Sequence, residues 1–401
     1  MIELKGSYTT AVVYTDELDD ASISQIYQIC NQKSMEGCHI AIMPDVHMGS
    51  SCCVGTTIAL KDKVIPSLVG VDIGCGMEVV KLKEKHIELA RLDKFIQQEI
   101  PSGCNIRNKI HKKASQLNLR ELYCFDAIDE LRSQKSLGTL GGGNHFIEID
   151  QDEEGFLYLV IHSGSRHLGV EVASYYQKLA YDHLNGCDEE SLKVLKESLK
   201  KQGKEARYAS IVKTLKNTKK TDIPYLMSYL EGENKDAYLH DIKIIQKFAD
   251  LSRQVMAEDI MKYMKLHEVE RFTTMHNYID EQQILRKGAI RARKDEIVWI
   301  PLNMRDGALL CVGKGNPDWN ESAPHGAGRA MSRSEAKQSF TLSEYKKEMK
   351  GIYTSSVVKS TIDECPMAYK QADCIISQVE DSVDILKKVK PIYNFKAGED
   401  A

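Results

Sequence analysis

Three things are missing from this chain of 401 residues: a long apolar run, a regular spacing of cysteines and an excess of either charge. Without roughly 18 or more consecutive apolar residues there is no candidate for a membrane-spanning helix. Eleven cysteines, an odd number without framework spacing, exclude a small disulfide-stapled fold and read as reduced intracellular thiols. The adjacent Cys52 and Cys53 read as structural. The opening stretch MIELKGSYTTAVVYTDELDD is neither a secretory signal nor a transit peptide, so a cytoplasmic location is expected. A formal net charge of −4 gives no overall basic character, and any nucleic-acid surface has to be a local patch. Internal repeats, low-complexity segments and clean linkers are absent as well. The expected fold is therefore α/β in the mixed α+β sense, one interleaved domain over residues 1–401 rather than beads on a string.

What is present divides into three stretches. The first third holds short apolar runs bounded by glycine, proline and polar residues, at 39–46, 54–60 and 77–83, which read as strands. Residues 86–100 have helical spacing, 137–150 form a glycine loop feeding a strand, and 156–161 a buried strand. From about 170 to 272 the chain turns charged and helical, and this stretch is expected to be a helical insertion. Its lysine-dense part, 193–220, is either a solvated helical face or a basic surface for an RNA backbone. Residues 238–264 read as an amphipathic helix with a core-packing stripe. Strands are expected again after Thr273, at 284–292, 296–303 and 307–312. A capped helix start follows at Ser332. A last helix is expected over 375–390.

The chemistry gathers at glycine-flanked turns. In LVGVDIGCGM (68–77) Asp72 and Cys75 face one point from a tight turn, a carboxylate and a thiolate suited to a divalent transition metal; oxygen ligands admit manganese. Alone, the pair also fits a buried turn with an inert cysteine. His145 follows a glycine run and opens a strand, His162 closes a strand into a Ser/Gly turn, and His276 follows FTTM. Each singly is what a satisfied turn histidine looks like. With Asp72 and Cys75 they make five ligands, more than one closed tetrahedral zinc takes. If one ligand bridges, the set suits two metal ions, which clamp attacking and leaving oxygens in phosphoryl chemistry. Cys75 is the natural bridge. His325 differs: HGAG sets an imidazole beside backbone that can approach a phosphate, with Arg329 four residues on. A neutral imidazole can attack a nucleoside triphosphate and form a phosphoramidate. Gly313, Lys314, Gly315 and Asn316 look like a phosphate loop but form no Walker motif. Arg166 and Arg329 are candidates for RNA or phosphate contacts, or surface ion pairs. Asp45 and His47 in PDVHMG either orient ligands or form a structured turn.

VDIGCGM (71–77), LGGGNHFIE (140–148), HSGSR (162–166), HNY (276–278), NMRDG (303–307), GKGNPDWNESAPHGAGR (313–329) and a near-terminal lysine together resemble RtcB, the family of GTP-dependent RNA-splicing ligases, in its shorter bacterial branch. The resemblance runs in order from about 44 to 396. It implies the RtcB fold, central β-sheets flanked by helices, and two Mn(2+) ions on Asp72, Cys75, His145, His162 and His276. It implies that His325 becomes guanylylated. GTP contacts are implied at Asn144, His145, Phe146, Ile147 and Glu148, at His276 and Asn277, and at Pro301, Leu302, Asn303 and Met304. They extend to Ala308, to His325, Gly326, Ala327 and Gly328, and to Lys396. The implied reaction joins RNA ends bearing 3′-phosphate or 2′,3′-cyclic phosphate to 5′-hydroxyl ends, in tRNA splicing or RNA repair. An archease-like activator and a monomeric state belong to the same expectation. Two positions depart from the family pattern. Ala308 stands where many relatives have serine, and Lys396 is followed by five residues rather than one, leaving Lys388 and Lys390 as rival lysines. The rival functions are a dinuclear phosphodiesterase acting on RNA ends without nucleotide, and a non-catalytic RNA-binding subunit. The complete ligand set argues against the second.

Overall fold

A computed structural model describes residues 1–218 and 220–398; Lys219 of the lysine-dense stretch and the residues 399–401 after the lysine-glycine segment lie outside it. Two sheets carry the architecture. The first runs in the order Ile2–Lys5, Thr10–Val13, His39–His47, Val54–Ala59, Ile284–Lys287, Asn277–Ile279. The second has seven strands: Glu268–Met275, Gly76–Leu82, Leu157–Ser163, Phe146–Gln151, Val383–Lys396, Gly307–Gly313 and Ile297–Asn303. All six pairings of this second sheet are antiparallel. Its strands Gly76–Leu82, Leu157–Ser163 and Phe146–Gln151 are covered on both faces, and every residue of Leu157–Ser163 is buried. That is why the strand reads as a continuous apolar run rather than an alternating one.

The 33-residue helix Gly232–Met264 is the spine between the sheets. Ile242, Ile245 and Phe248 pack into the apolar cluster that includes Ile40, Ile58 and Ile73, and Met256 and Ile260 into the one holding Val80, Ile147 and Ile161. The stripe expected over 238–264 is thus core, and the helix starts six residues earlier. Helices Glu189–Lys201 and Tyr208–Asn217 carry the lysine-dense stretch, with most of their described lysines exposed. The strand after the helical region begins at Glu268, earlier than Thr273.

Two sequence expectations fail for physical reasons. The helix expected over 375–390 is only Ala372–Ile376; Val383–Lys396 is instead a 14-residue strand inside the second sheet. Isolated charges in DILKKVK fit a helical period as well as an edge, but the strand has neighbours on both sides to pair with, and cross-strand pairing overrides local preference. Pro391, which lacks an N–H, falls where the register with Phe146–Gln151 shifts. The strand expected over 284–292 breaks at Gly288 into Ile284–Lys287 and Ala289–Arg291, which join different sheets. Gly288 has φ +60°, and a Cβ there would lie 2.0 Å from Val54 Cγ1. Its N–H donates to the His276 carbonyl at 2.7 Å, so the break lies beside a candidate ligand. Ser332 does cap the helix Arg333–Ser339, exchanging hydrogen bonds with Glu335.

Candidate active site

The second sheet brings the histidines to one end by register. His162 lies opposite Met77 on one side and Phe146 on the other, and Met275 lies opposite Gly76. The residues flanking these pairs, Cys75, His145 and His276, therefore converge at the strand ends. The turn holding Asp72 and Cys75 is pinned from below by Arg253 of the long helix. That guanidinium is fully buried and donates through one nitrogen to the Gly74 carbonyl at 2.8 Å and the Ser163 carbonyl at 2.9 Å. Gly164 leaves the space for Asp72, since a Cβ there would lie 2.0 Å from Asp72 Oδ1. The N–H of Ser165 donates to that same oxygen at 3.2 Å.

Cys75 Sγ is 3.5 Å from His145 Nε2 and 3.3 Å from His162 Nε2. Asp72 Oδ2 is 3.1 Å from His145 Nε2, and the Nε2 atoms of His162 and His276 are 3.3 Å apart. The five groups fall into two sets that could each hold a cation, Asp72–Cys75–His145 and Cys75–His162–His276, and Cys75 belongs to both. The tautomers suit ligation. Nδ1–H of His145 donates to the Leu140 carbonyl at 2.9 Å and that of His162 to the Asn144 carbonyl at 3.0 Å, which turns both Nε2 lone pairs inward. Burial first, then the neighbouring histidines, then Lys396 for His162 and Arg253 and Lys287 for His276, hold both well below the ordinary histidine range, so both are neutral lone-pair donors. Burial would raise Asp72, but the hydrogen bond and charge of His145, with Cys75 and Arg166, hold it below the carboxylate range. Burial followed by Asp72 pushes the Cys75 thiol well up. The Nε2 lone pairs of His162 and His276 facing each other beside a sulfur are repulsive without a cation, and the donor set of N, O and S fits a divalent transition metal.

His325 stands on the other side of His276, ring centroids 4.8 Å apart. Asp45, fully buried on the strand His39–His47, accepts from His325 Nδ1–H at 2.7 Å and from its backbone N–H at 3.2 Å. The ring is thereby oriented with Nε2 available. Of the two roles considered for Asp45, orienting a neighbour is the one the geometry supports, and the neighbour is His325. His47 bonds the Asp45 carbonyl through Nδ1 at 2.8 Å; burial pulls it down to about 4, so it is neutral. We expect Asp45→Asn to slow any nucleophilic step at His325 by about 10²-fold or more, as loss of an orienting carboxylate does elsewhere. The checks are single-turnover rates together with a melting curve. An unchanged rate would show that Asp45 serves only folding.

A cavity of about 960 Å³ opens beside these groups, a size that suits a nucleotide. Its wall includes Asp72, Cys75, His162 and His276, with Asn144, Phe146, Glu148, Asn277 and Pro301 through Met304. His325 through Arg329 and Lys396 complete it. Ile147 points instead into the apolar cluster beneath the sheet, and Ala308 packs with Met77, Val79 and Trp299. His145 reaches Cys75 and Asp72 from behind the wall. Arg166 donates to the Gly103 carbonyl at 2.8 Å and is not on the wall. Lys314 of the GKGN stretch pairs with Asp384 at 3.1 Å, away from the cavity, so the apparent phosphate loop is a surface turn.

Sequence reading missed the far wall. Glu364, almost fully buried, accepts from Lys396 Nζ at 2.6 Å, Tyr369 Oη at 2.6 Å and Arg329 at 3.2 Å, and pairs with Arg333 at 2.7 Å. Burial opposes ionisation there, but Lys396 and the two arginines hold the carboxyl down at about 2. Lys287 also lines the cavity, near the Val69 carbonyl at 3.3 Å. These residues come from separate elements and carry no motif, so no sequence signal marks them. Among the rival lysines, Lys396 is on the cavity wall and Lys388 and Lys390 are not.

Comparison with known proteins identifies the family. The family described as "tRNA-splicing ligase RtcB" matches residues 28–128 and 124–397. The chain is 30% identical to the RNA-splicing ligase RtcB of Escherichia coli strain K12, covering 89% of this chain and 90% of that protein. It is 27% identical to the tRNA-splicing ligase RtcB of Aeropyrum pernix, over 95% and 94% of the two. Among the described residues no helix is long and apolar enough to cross a membrane. By the extent of these matches, the chain belongs to the RtcB family.

Proposed function

We propose that this protein is a GTP- and manganese-dependent RNA ligase. It joins an RNA end carrying a 3′-phosphate or 2′,3′-cyclic phosphate to a 5′-hydroxyl end, in tRNA splicing or RNA repair. The whole chain works as one cytoplasmic catalytic unit, with the helical stretch 170–272 inserted in it. The observation that carries this reading is a five-ligand cluster sharing Cys75, set in one cavity beside a histidine that a buried aspartate orients.

Asp72, Cys75, His145, His162 and His276 would hold the metal pair, which supplies Lewis-acid stabilisation of charge on phosphoryl oxygens. His325 Nε2 attacks the α-phosphorus of GTP. A P–N bond forms, the bond to the β-phosphate oxygen breaks and pyrophosphate leaves. The ring becomes cationic as it does so, and the Asp45 carboxylate on Nδ1–H stabilises that charge. A cyclic RNA end is first hydrolysed to a 3′-phosphate. An oxygen of that phosphate then attacks the guanylylated phosphorus, and neutral His325 leaves. The 5′-hydroxyl attacks the activated end, loses its proton and expels GMP. Lys396, Arg329 and Arg333, gathered by Glu364, present positive charge to phosphate oxygens on the far wall.

The discriminating experiment offers two pairs of RNA ends. With GTP and manganese, the 3′-phosphate/5′-hydroxyl pair is expected to be joined and the 3′-hydroxyl/5′-phosphate pair left open. The opposite preference on a denaturing gel would remove this reading. Opening of cyclic ends without any joining or nucleotide use would establish the phosphodiesterase instead.

A further inference from the structure

One wall of the cavity is polar in a way the metal and His325 do not use. Glu148 and Asn394 face each other across the pairing of Phe146–Gln151 with Val383–Lys396. Both are nearly inaccessible, at 4% and 1%, and both line the cavity. The Asn394 amide donates through Nδ2 to Glu148 Oε2. This fixes the amide's orientation, because the reverse would set its oxygen against a carboxylate. It leaves Asn394 Oδ1 buried with no hydrogen-bond partner among the described residues. An unmet acceptor in the interior costs free energy comparable to a lost hydrogen bond, which makes such an atom a candidate for ligand contact.

The charge state beneath the pair is consistent with an acceptor role. Asp150, two residues along the same face of the strand, is fully buried, and burial followed by Glu148 pushes its carboxyl well up, so it holds its proton. Glu148 is raised by burial, but Asp150, the Asn394 amide and Lys396 all act in the opposite sense, toward the carboxylate. One carboxylate oxygen is committed to Asn394. Glu148 also shares a hydrogen bond with protonated Asp150, but a carboxylate oxygen has more than one lone pair, so Glu148 and Asn394 Oδ1 remain neighbouring acceptors on residues that line the cavity.

We propose that Asn394 is a specificity-determining residue of the nucleotide site, its Oδ1 accepting from the 2-amino group of a guanine base whose N1–H donates to Glu148. The inference rests on the GTP reading above. Guanine presents two adjacent donors on this edge. Adenine presents a ring nitrogen lone pair where N1–H should be, and hypoxanthine keeps N1–H but lacks the 2-amino group. A site built to hydrogen-bond a group rejects the analogue lacking it, because its own buried polar atoms are then left unpaired.

The test compares GTP, ITP and ATP as donors of the covalent nucleotidyl adduct, at limiting nucleotide and with manganese, in wild type, Asn394→Ala and Asn394→Leu. Wild type is expected to favour GTP over ITP by about tenfold or more, the scale of one discriminating hydrogen bond, and to disfavour ATP further. In both variants the GTP-to-ITP ratio should fall to within about twofold of one. Because both nucleotides are read on the same protein sample, partial misfolding scales both rates and leaves the ratio alone. A variant that keeps the wild-type ratio overturns the proposal, as does a wild type indifferent to the 2-amino group, and in both cases the GTP reading stands. No adduct from any nucleotide in wild type would remove the GTP reading, and the proposal with it.

Discussion

His325→Ala is expected to abolish the covalent GMP adduct and, with it, RNA joining. The argument begins with which side chains could attack phosphorus at neutral pH. Lys396 and Lys287 line the cavity, but an ammonium group has no free lone pair. Lys396 is moreover held by Glu364 at 2.6 Å. His145, His162 and His276 turn their Nε2 atoms into the cation sites, and a nitrogen bound to metal cannot also attack. His47 is neutral, but its ring is tied through Nδ1 to the Asp45 carbonyl, and among the described residues no carboxylate hydrogen-bonds that ring as Asp45 bonds His325. His325 alone combines a place on the cavity wall with a carboxylate on its distal nitrogen. The expected result is a mass increase of one GMP in wild type that needs manganese, is lost in acid and survives base. It is absent in His325→Ala, while nucleophilic steps lost in this way typically cost many orders of magnitude in rate. An adduct persisting in His325→Ala would mean that another group is the nucleophile and that the division between ligand and attacking histidines is wrong.

The parts of this site that were legible in the sequence lie at strand ends, where a rigid sheet displays side chains. Asp72, Cys75, His145 and His325 sit in glycine-bounded turns, His162 is the penultimate residue of a buried strand that runs into one, and His276, with no glycine beside it, joins two strands. The strands around them were legible for the same reason, because full burial on both faces writes itself as uninterrupted apolar runs. What was not legible depends on pairing over long separations. Val383–Lys396 becomes a strand because Phe146–Gln151 and Gly307–Gly313 flank it, and nothing within its own 14 residues announces either neighbour. The expected helix stopped at residue 390, and nothing in the tail beyond it marked Asn394 as the residue that pairs opposite Glu148. Glu364, Tyr369 and Arg333 lie in irregular segments and short helices where neither period nor motif marks them. Arg253 was hidden differently: it sits on the mostly apolar buried face of a long helix, and its two carbonyl partners, with Asp250 at 3.3 Å, reveal why a charge is tolerated there.

Cys75→Ala is expected to remove both metal ions at once, whereas His145→Ala and His276→Ala each weaken one. The asymmetry follows from the two overlapping ligand sets, Asp72–Cys75–His145 and Cys75–His162–His276, in which the sulfur is the single shared atom. Removing an outer histidine leaves one set intact; removing the sulfur leaves each set with two ligands and takes away a negative charge that two dications would otherwise share. Ligation should also depend on pH with a definite sign. Burial and Asp72 push the free thiol well up, so a cation binds Cys75 by displacing its proton, and affinity rises as pH rises. His162 and His276 are already neutral at pH 7, being held well below the ordinary histidine range, so they release no proton there and do not reverse the trend. Cys52→Ala is the control: that thiol is equally buried, but it bonds the Leu68 carbonyl at 3.7 Å and belongs to neither set. Metal content after desalting, with manganese titrations at two pH values, measures all of this. Two ions retained in Cys75→Ala would refute the bridge, and equal loss in Cys52→Ala would show that the effect is general damage to the fold.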